Sequence, residues 1–353
     1  IGPDYHSTCG IFIQGFFALG FALLSPFAYY FPYWRDLIRI SGFLAIPAIV
    51  LVLFLRESPR YQLTRDRFSE AAKTLALIRK RNSFRNFESS DEKDEIENIL
   101  LNSDDSDDFR LEKTKIFTDS ENLSTDIKSS NSDDLQYKIY SFQDLFTNGG
   151  KMADITAILI INYFANSMCY YGLNLNSAAL PMNIYWSNFF YGIIELPSYL
   201  FYSFIIQNPR FGRRNSMAFS LILGGISILV STYCLEFDES ESDYYETIAI
   251  ISSFFGKFLI AGSFAIIYNL TAELYPTSLR STAIGTGSMA ARVAGMLCPF
   301  VLNLETYASY LPGLVFGTIS IVAGFLGARL PETLYQPMLI NLDQAKIFYD
   351  EKF

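Results

Sequence analysis

Apolar positions along this chain are grouped in long blocks, separated by shorter polar segments. Each block has about 20 residues, the helix length that crosses the ~30 Å hydrocarbon core of a bilayer. Eight blocks can be delimited: Cys9–Phe31, Leu37–Leu55, Ile155–Leu173, Ile184–Ile206, Ser216–Leu235, Ile248–Leu270, Thr282–Leu304 and Leu311–Leu330. The pattern therefore predicts an all-α integral membrane protein with eight transmembrane helices.

Lysine and arginine are distributed unevenly over the connections between these blocks. The connections after the second, fourth and sixth blocks contain RESPRYQLTRDRFSEAAKTLALIRKR, NPRFGRR and Arg280. Of the alternate connections, the first contains Arg35. The other three contain no lysine or arginine: Asn174–Asn183, Glu236–Thr247 and Glu305–Tyr310. Because basic connections stay on the cytoplasmic side, both termini are predicted to be cytoplasmic.

The polar segment after the second block has two parts. Between Arg67 and Arg81, apolar residues at helical spacing predict an amphipathic helix at the membrane surface. From Phe84 to about Tyr140 the chain is rich in Ser and Asp, with few aromatic residues. Such a composition cannot bury enough apolar surface to offset chain entropy, so we expect an acidic disordered loop.

Residue types needed for several functions are missing. His6 is the only histidine, and the four cysteines (Cys9, Cys169, Cys234 and Cys298) show no CxxC spacing and are expected to be small buried hydrophobes. The run GGK at 149–151 lacks both the first glycine and the Ser/Thr of a phosphate-binding loop. We therefore expect no enzymatic activity, metal, cofactor or nucleic-acid partner.

Three ionisable residues fall deep inside apolar blocks: Glu195, Lys257 and Arg292. A charge near the bilayer centre costs roughly 2.5–3.5 kcal/mol, so each must face water or a partner. Small residues recur every four positions in the seventh block, and they are expected to pack closely against another helix: Ala283, Gly287, Ala291 and Gly295. Arg292 lies about 100° round from this stripe and is expected to face a cavity. The alternative is that Glu195 pairs with Arg292 or Lys257 to neutralise buried charge.

Several motifs occur in a fixed order from about residue 2 to residue 337. They include YYGLNLNSAAL, IELPSYL, FGRRNS, AELYPTSLRSTAIGTGSMAARVAG and LPETLYQP. With these motifs the chain resembles the organic cation, organic anion and carnitine transporter family, a branch of the major facilitator superfamily. This resemblance implies a partial major facilitator-type helical bundle whose eight helices match spans five to twelve, without spans one to four. The expected fold class is thus an all-α integral membrane bundle.

The resemblance also implies a division into domains. Residues 1–56 would hold the last two helices of the N-terminal half, and residues 57–150 a cytoplasmic region with the amphipathic helix and the acidic loop. Residues 151–335 would form the C-terminal six-helix bundle, and residues 336–353 a cytoplasmic tail. With four spans absent, we expect that the chain by itself does not form a sealed carrier.

The family resemblance implies a substrate path lined by charged and aromatic residues. Relatives that prefer cations carry an aspartate where Arg292 stands, whereas anion- and carnitine-type relatives carry arginine. The positions expected to bind substrate are Arg292, Lys257, Glu195, Tyr170, Tyr171, Phe264, Tyr268 and Ser288. The two basic residues favour a carboxylate and Glu195 a cationic group. A zwitterion similar to carnitine, or an organic anion, is therefore favoured over a simple cation.

A second group of residues is expected to form ion pairs on the cytoplasmic side and to release them when the carrier opens inward. It consists of Arg213, Arg214, Glu273, Arg280 and Glu332. Their alternative role is to anchor the helices at the membrane surface. The sequence QNPRFGRR lacks the acid that relatives carry before the GRR turn.

The resemblance implies a multi-pass transporter of small organic ions in the plasma membrane. It would work by alternating access about a midplane cavity, with the lipid bilayer as its surroundings. The substrate would follow its own gradient, or be coupled to an ion or a counter-substrate. The alternative is a transport-inactive relative that serves as an interaction or sensor protein, with the acidic loop as its docking segment.

Overall fold

The structure is a computed structural model and describes residues 6–54, 57, 62, 70, 73–74, 77–78, 143–147, 150–236, 242–336, 339 and 342–352. Contacts divide the chain into one unit of Ile1–Leu37 and Lys138–Phe353 and a second of Ile38–Tyr137. All of the predicted acidic loop and most of the predicted amphipathic helix Arg67–Arg81 lie outside the described residues. The division into domains expected from the resemblance therefore stays a prediction.

The described segments are helical, and no strand occurs among them. The helices are α1 (His6–Tyr30), α2 (Trp34–Phe54), α3 (Asp144–Thr147), α4 (Gly150–Leu175), α5 (Ile184–Ile205), α6 (Gly212–Glu236), α7 (Ser242–Leu274), α8 (Thr277–Leu302), α9 (Leu311–Gly327) and α10 (Leu342–Lys352). Each of the eight apolar blocks corresponds to one helix, α1, α2 or α4 to α9. The predicted all-helical fold class is thus confirmed.

Several helices extend beyond their apolar blocks. The clearest case is α7, which has 33 residues and begins at Ser242, six positions before the block Ile248–Leu270. A helix satisfies its own backbone hydrogen bonds, so it can continue past the hydrocarbon region into polar surroundings. Hydropathy therefore finds the helix but not its ends.

The helices pack through small residues. On α1, Ala18 and Ala22 are buried against α5. The α5 backbone at Gly192 comes so close that a Cβ there would lie 2.6 Å from the Ala22 Cα. Because lipid tails are as apolar as leucine, close backbone approach rather than the hydrophobic effect drives such contacts in a bilayer.

The small-residue stripe of α8 packs against α4, as predicted. A Cβ on Gly287 would lie 2.4 Å from the Tyr163 ring, and the Ser167 hydroxyl donates a hydrogen bond to the Ala291 carbonyl. One turn further, Gly295 faces the Tyr171 ring. The stripe therefore sets the distance between α8 and the polar face of α4.

The outer surface of the bundle is apolar. Large hydrophobic side chains such as Phe16, Phe204, Met296 and Phe300 are exposed, the reverse of a soluble protein. Among the described residues, five helical segments are long and apolar enough to cross a membrane. They are Ile13–Tyr30, Gly150–Ala179, Gly212–Glu236, Tyr244–Leu274 and Leu279–Thr306. Helix α9 is a shorter apolar helix. The described helices thus bury polar groups between them and have a largely apolar outer surface.

Candidate functional site

A cavity of about 280 Å³ lies between five helices of the first unit. This is close to the lower end of the usual range for small-molecule sites, roughly 300–1,000 Å³. The wall is formed by Gln14 and Phe17 of α1, Ser167, Tyr170 and Tyr171 of α4, Tyr199 of α5, Phe264 and Tyr268 of α7, and Ala291 and Arg292 of α8. A single small organic ion is the kind of ligand that such a space fits.

Most of the cavity wall is aromatic, and the rings hold one another in place. Tyr170 stacks on Phe264 with ring centroids 5.6 Å apart and meets Tyr171 edge-on at 5.4 Å. Phe264 and Tyr268, one turn apart on α7, also meet edge-on, at 5.6 Å. Edge-to-face and offset contacts at such distances fix ring orientation. The cavity therefore presents a set of fixed aromatic surfaces.

Arg292 supplies the charge on the cavity wall. Its side chain is exposed, and Nη1 donates a 2.8 Å hydrogen bond to the Ser288 hydroxyl one turn earlier on α8. Within the described segments, no acidic side chain forms an ion pair with Arg292. A guanidinium has five N–H donors in a planar fork, so Ser288 orients the group and leaves donors for a ligand.

Glu195 and Lys257 form an ion pair away from the cavity wall. The Lys257 Nζ lies 2.7 Å from Glu195 Oε1, and both side chains are fully buried. Of the two pairings left open by the sequence, the structure has Lys257 and not Arg292 as the partner of Glu195. An isolated charge in such a place would be strongly disfavoured, whereas a paired and hydrogen-bonded one is tolerated.

Two tyrosines complete the shell around Glu195. Tyr170 donates a 2.7 Å hydrogen bond to Oε1, and Tyr199 donates one of 3.2 Å to Oε2. The ring of Tyr170 also faces Lys257, whose Nζ lies 3.3 Å from its centroid. Tyr170 and Tyr199 line the cavity as well. They are therefore the residues that connect the cavity with the buried pair.

The structure brings most of the predicted substrate residues together. Arg292, Tyr170, Tyr171, Phe264 and Tyr268 line the cavity. Ser288 reaches it through its hydrogen bond to Arg292. Glu195 and Lys257 lie behind the tyrosines and do not line it.

Sequence reasoning missed four polar or aromatic wall residues. Tyr199 follows Glu195 by one helical turn, so helical spacing alone could have placed it on the same face. Gln14 is an amide inside an apolar block, which indicates a side chain that faces other helices rather than lipid. Ser167 and Phe17 carry no such signal, because each looks like its neighbours in sequence.

A second polar cluster lies where α6 begins and α7 ends, and we call Arg213, Glu273, Glu332 and Thr333 the end network. Arg213 Nη1 forms an ion pair with Glu273 Oε2, and the Thr333 hydroxyl donates a 2.7 Å hydrogen bond to the same oxygen. The two charged side chains are 15% and 16% exposed. One ion pair within the group of five residues is therefore present, and its role in opening the carrier stays a prediction.

Among the described residues, the hydrogen bonds to Glu332 come from backbone N–H groups. Its two carboxylate oxygens accept hydrogen bonds from the Arg213 and Arg214 backbone N–H groups at 2.9 and 3.1 Å. The N-terminus of a helix carries a partial positive charge that stabilises such an anion. Gly212 has φ +65°, and a Cβ there would lie 2.4 Å from Glu332 Oε2. Only glycine fits this contact without strain.

The other two predicted network residues are placed differently. Arg214 donates to the Asn215 side chain at 3.0 Å and to the Leu330 carbonyl at 3.3 Å. Arg280 forms no ion pair with a described acid, and its buried Nε and Nη2 atoms have no hydrogen-bond partner there. The ion pairs expected among these five residues thus reduce to one, Arg213–Glu273.

The fold is shared with solved transporters of the major facilitator superfamily. The structure of the proton:xylose symporter XylE matches 99% of this chain and 68% of its own, with a TM-score of 0.59 and 14% identity. Similarity at this level concerns the fold alone. It agrees with the partial bundle expected from the sequence.

The model of the family described as "Sugar (and other) transporter" matches residues 4–339, and the chain belongs to this family. A Drosophila melanogaster organic cation transporter-like protein is 29% identical over 99% of the chain and 56% of its own length. Human solute carrier family 22 member 13 is 31% identical, over 98% of the chain and 54% of its own length. Human organic cation/carnitine transporter 2 is 28% identical, over 96% of the chain and 53% of its own length. The chain thus spans about half the length of these relatives.

These matches confirm the family resemblance found in the motifs. They place the chain in a family of multi-pass membrane transport proteins, which are not enzymes. The names of these relatives mention organic cations and carnitine as the molecules that they transport.

Proposed function

We propose that this protein moves small organic ions across a membrane, and that it favours zwitterions and organic anions over simple cations. The observation that best supports this is the unequal placement of three charges. Arg292 faces the cavity with donors available, whereas the charge of Glu195 is compensated by Lys257 at 2.7 Å. An entering carboxylate would gain charge-assisted hydrogen bonds from Arg292, and a simple cation would meet repulsion.

The aromatic wall supports a zwitterion in particular. Tyr171, Phe264 and Tyr268 offer ring faces and edges around the same space as Arg292. Quaternary ammonium groups bind over aromatic faces, with roughly 0.5–2 kcal/mol for each good contact. A molecule with a carboxylate at one end and a trimethylammonium at the other, such as carnitine, would satisfy both parts of the cavity.

In the proposed transport cycle, two groups of helices alternate about the cavity. The end network would hold one side closed through Arg213–Glu273 and open when water replaces these contacts. Substrate would move down its gradient, or be coupled to an ion or a counter-substrate. We place the protein in the plasma membrane with both termini cytoplasmic, in line with the distribution of lysine and arginine.

Uptake by cells expressing the full-length protein tests this proposal. The probes are radiolabelled carnitine, p-aminohippurate and tetraethylammonium, with cells carrying an empty vector as background. We expect carnitine or p-aminohippurate to be taken up in preference to tetraethylammonium. Arg292→Gln should lower uptake of the two carboxylates about tenfold or more, because it removes a charged hydrogen-bond donor.

Arg329→Gln is the matched control, since Arg329 is exposed at the end of α9 and does not line the cavity. It should leave uptake of all three probes unchanged. The proposal would be contradicted if the unsubstituted protein preferred tetraethylammonium and Arg292→Gln had the same preference. Uptake of none of the probes by protein present at the cell surface would favour the transport-inactive interaction protein instead.

A further inference from the structure

The ammonium of Lys257 is surrounded like a bound ligand. Its Nζ lies 2.7 Å from Glu195 Oε1 and 3.3 Å from the centroid of the Tyr170 ring. The rings of Phe21 and Tyr191 lie 6.0 Å away each. One carboxylate with several aromatic faces is the composition by which proteins recognise free ammonium groups.

The walls of this cage and its occupant come from different helices. Phe21 belongs to α1, Tyr170 to α4, and Tyr191 and Glu195 to α5, whereas Lys257 enters from α7. In the part of the chain that the structure describes, Nζ has no hydrogen-bond acceptor aligned with it, only the ionic contact to Glu195. The cage is therefore complete without Lys257, and the lysine contributes only the cation that fills it.

The cage and the cavity share a wall. Tyr170 lines the cavity, while its hydroxyl donates to Glu195 and its ring faces Lys257. A cation that reached the cage from the cavity would pass beside this one ring. With Lys257 in place, such a cation meets a filled site and a like charge.

We propose that Glu195, Tyr170, Phe21 and Tyr191 form an ammonium-binding subsite, and that Lys257 occupies it as a tethered internal ligand. Removing the lysine side chain opens the subsite to alkylammonium ions. The consequence for selectivity, that the tethered ammonium keeps simple cations out, rests on the proposed function. The existence of the subsite does not, and it can be measured without transport.

Chemical rescue tests the subsite directly. Lys257→Ala removes Cγ, Cδ, Cε and Nζ, which correspond to the three carbons and the nitrogen of propylammonium. The melting temperature of the purified protein in detergent is measured with propylammonium chloride, and with sodium chloride or sodium propionate at equal ionic strength. We expect propylammonium alone to raise the melting temperature of Lys257→Ala by several degrees and to leave the unsubstituted protein unaffected.

Two further variants make the result specific. Lys257→Ala/Glu195→Gln lacks the carboxylate and should show no rescue. Lys151→Ala removes a lysine that is 43% exposed and paired with Asp350, and it should not respond either. Equal rescue of the double variant, or none of Lys257→Ala, would overturn the proposal. If Lys257→Ala folds only when purified with propylammonium, the recovery of monodisperse protein is itself the rescue.

Uptake separates this inference from the proposed function. Lys257→Met removes the charge and keeps most of the side-chain length, so it avoids a large void. Its ratio of tetraethylammonium to carnitine uptake should rise at least about tenfold, as expected for a newly available carboxylate. Lys257→Met/Glu195→Gln should show no such rise. If the unsubstituted protein already prefers tetraethylammonium, the proposed function is wrong, but the rescue of Lys257→Ala by propylammonium still tests the subsite. If propylammonium rescues Lys257→Ala but Lys257→Met leaves the uptake ratio unchanged, only the consequence for selectivity is refuted.

Discussion

Two of the ion pairs between described helices, Glu195–Lys257 and Arg213–Glu273, differ in what surrounds them. Glu195–Lys257 is fully buried, and its carboxylate is held by the hydroxyls of two tyrosines. Arg213–Glu273 is 15% and 16% exposed and lies beside a second carboxylate, Glu332, held by backbone N–H groups.

The difference indicates different tasks. Opening a pair that has no contact with solvent leaves two uncompensated charges, so the first pair is suited to a permanent role. Water can replace the contacts of the second pair as it separates, which lowers the cost of opening it. An ion pair between an acid and a base is thus suited to a fixed role at Glu195–Lys257 and to a releasable contact at Arg213–Glu273.

The largest expected effect comes from breaking the buried pair. Lys257→Met or Glu195→Gln alone should lower the free energy of unfolding by about 3–5 kcal/mol, because each leaves one buried charge without its partner. The double variant should recover most of this loss. Thermal unfolding of the four proteins in one detergent measures the coupling. Strictly additive losses would show that the two charges do not stabilise each other.

The end network should respond more weakly and should depend on salt. Arg213→Gln or Glu273→Gln is expected to cost about 1–3 kcal/mol, the range for a hydrogen bond to a charged group. Raising the salt concentration should narrow the gap between variant and unsubstituted protein slightly, and more than for Glu195–Lys257, because a partly exposed pair is screened more than a fully buried one. Equal salt dependence of this pair and of Glu195–Lys257 would remove the distinction drawn between them.

Gly212 tests the backbone part of the end network. Gly212→Ala places a Cβ at φ +65°, against Glu332 Oε2. We expect a loss of about 1–2 kcal/mol, from the strained backbone and the displaced carboxylate. Gly285→Ala is the control, since no atom lies within 4 Å of a Cβ there. A melting temperature equal to that of the control would mean that Glu332 does not depend on this turn.

The smallest effects come from deleting single hydroxyl groups. Tyr199→Phe removes a 3.2 Å hydrogen bond to Glu195, and Thr333→Val removes one of 2.7 Å to Glu273. Tyr199→Phe should cost more, about 1–2 kcal/mol against about 0.5–1, although the bond it removes is longer. The reason is that Glu195 is fully buried, whereas Glu273 is partly exposed. The reverse order in thermal unfolding would indicate that water reaches Glu195.

The helices and one helix contact could be predicted from sequence, because they depend on local patterns. Apolar blocks identified α1, α2 and α4 to α9, and the four-residue repeat of small residues identified the face of α8 that packs on α4. The partner of Glu195 could not be predicted in this way. Lys257 lies 62 positions away on another helix, and three charges in three blocks allow more than one pairing.

Contacts made by the backbone were also beyond the reach of the sequence. Glu332 was expected to form an ion pair with an arginine, but the described hydrogen bonds to it come from the backbone N–H groups of Arg213, Arg214, Thr333 and Leu334. Every residue except proline has a backbone N–H donor, so the sequence does not indicate which of these donors will bind a carboxylate.

The double contact of Tyr170 restricts how this protein can be re-engineered. Any substitution there alters the shape available to a ligand and, at once, the shell around a buried charge, so gains in one property would be masked by losses in the other. Tyr171 is 41% exposed and shares the same wall without touching Glu195. A library built to change substrate preference should therefore vary Tyr171 first and leave its neighbour constant.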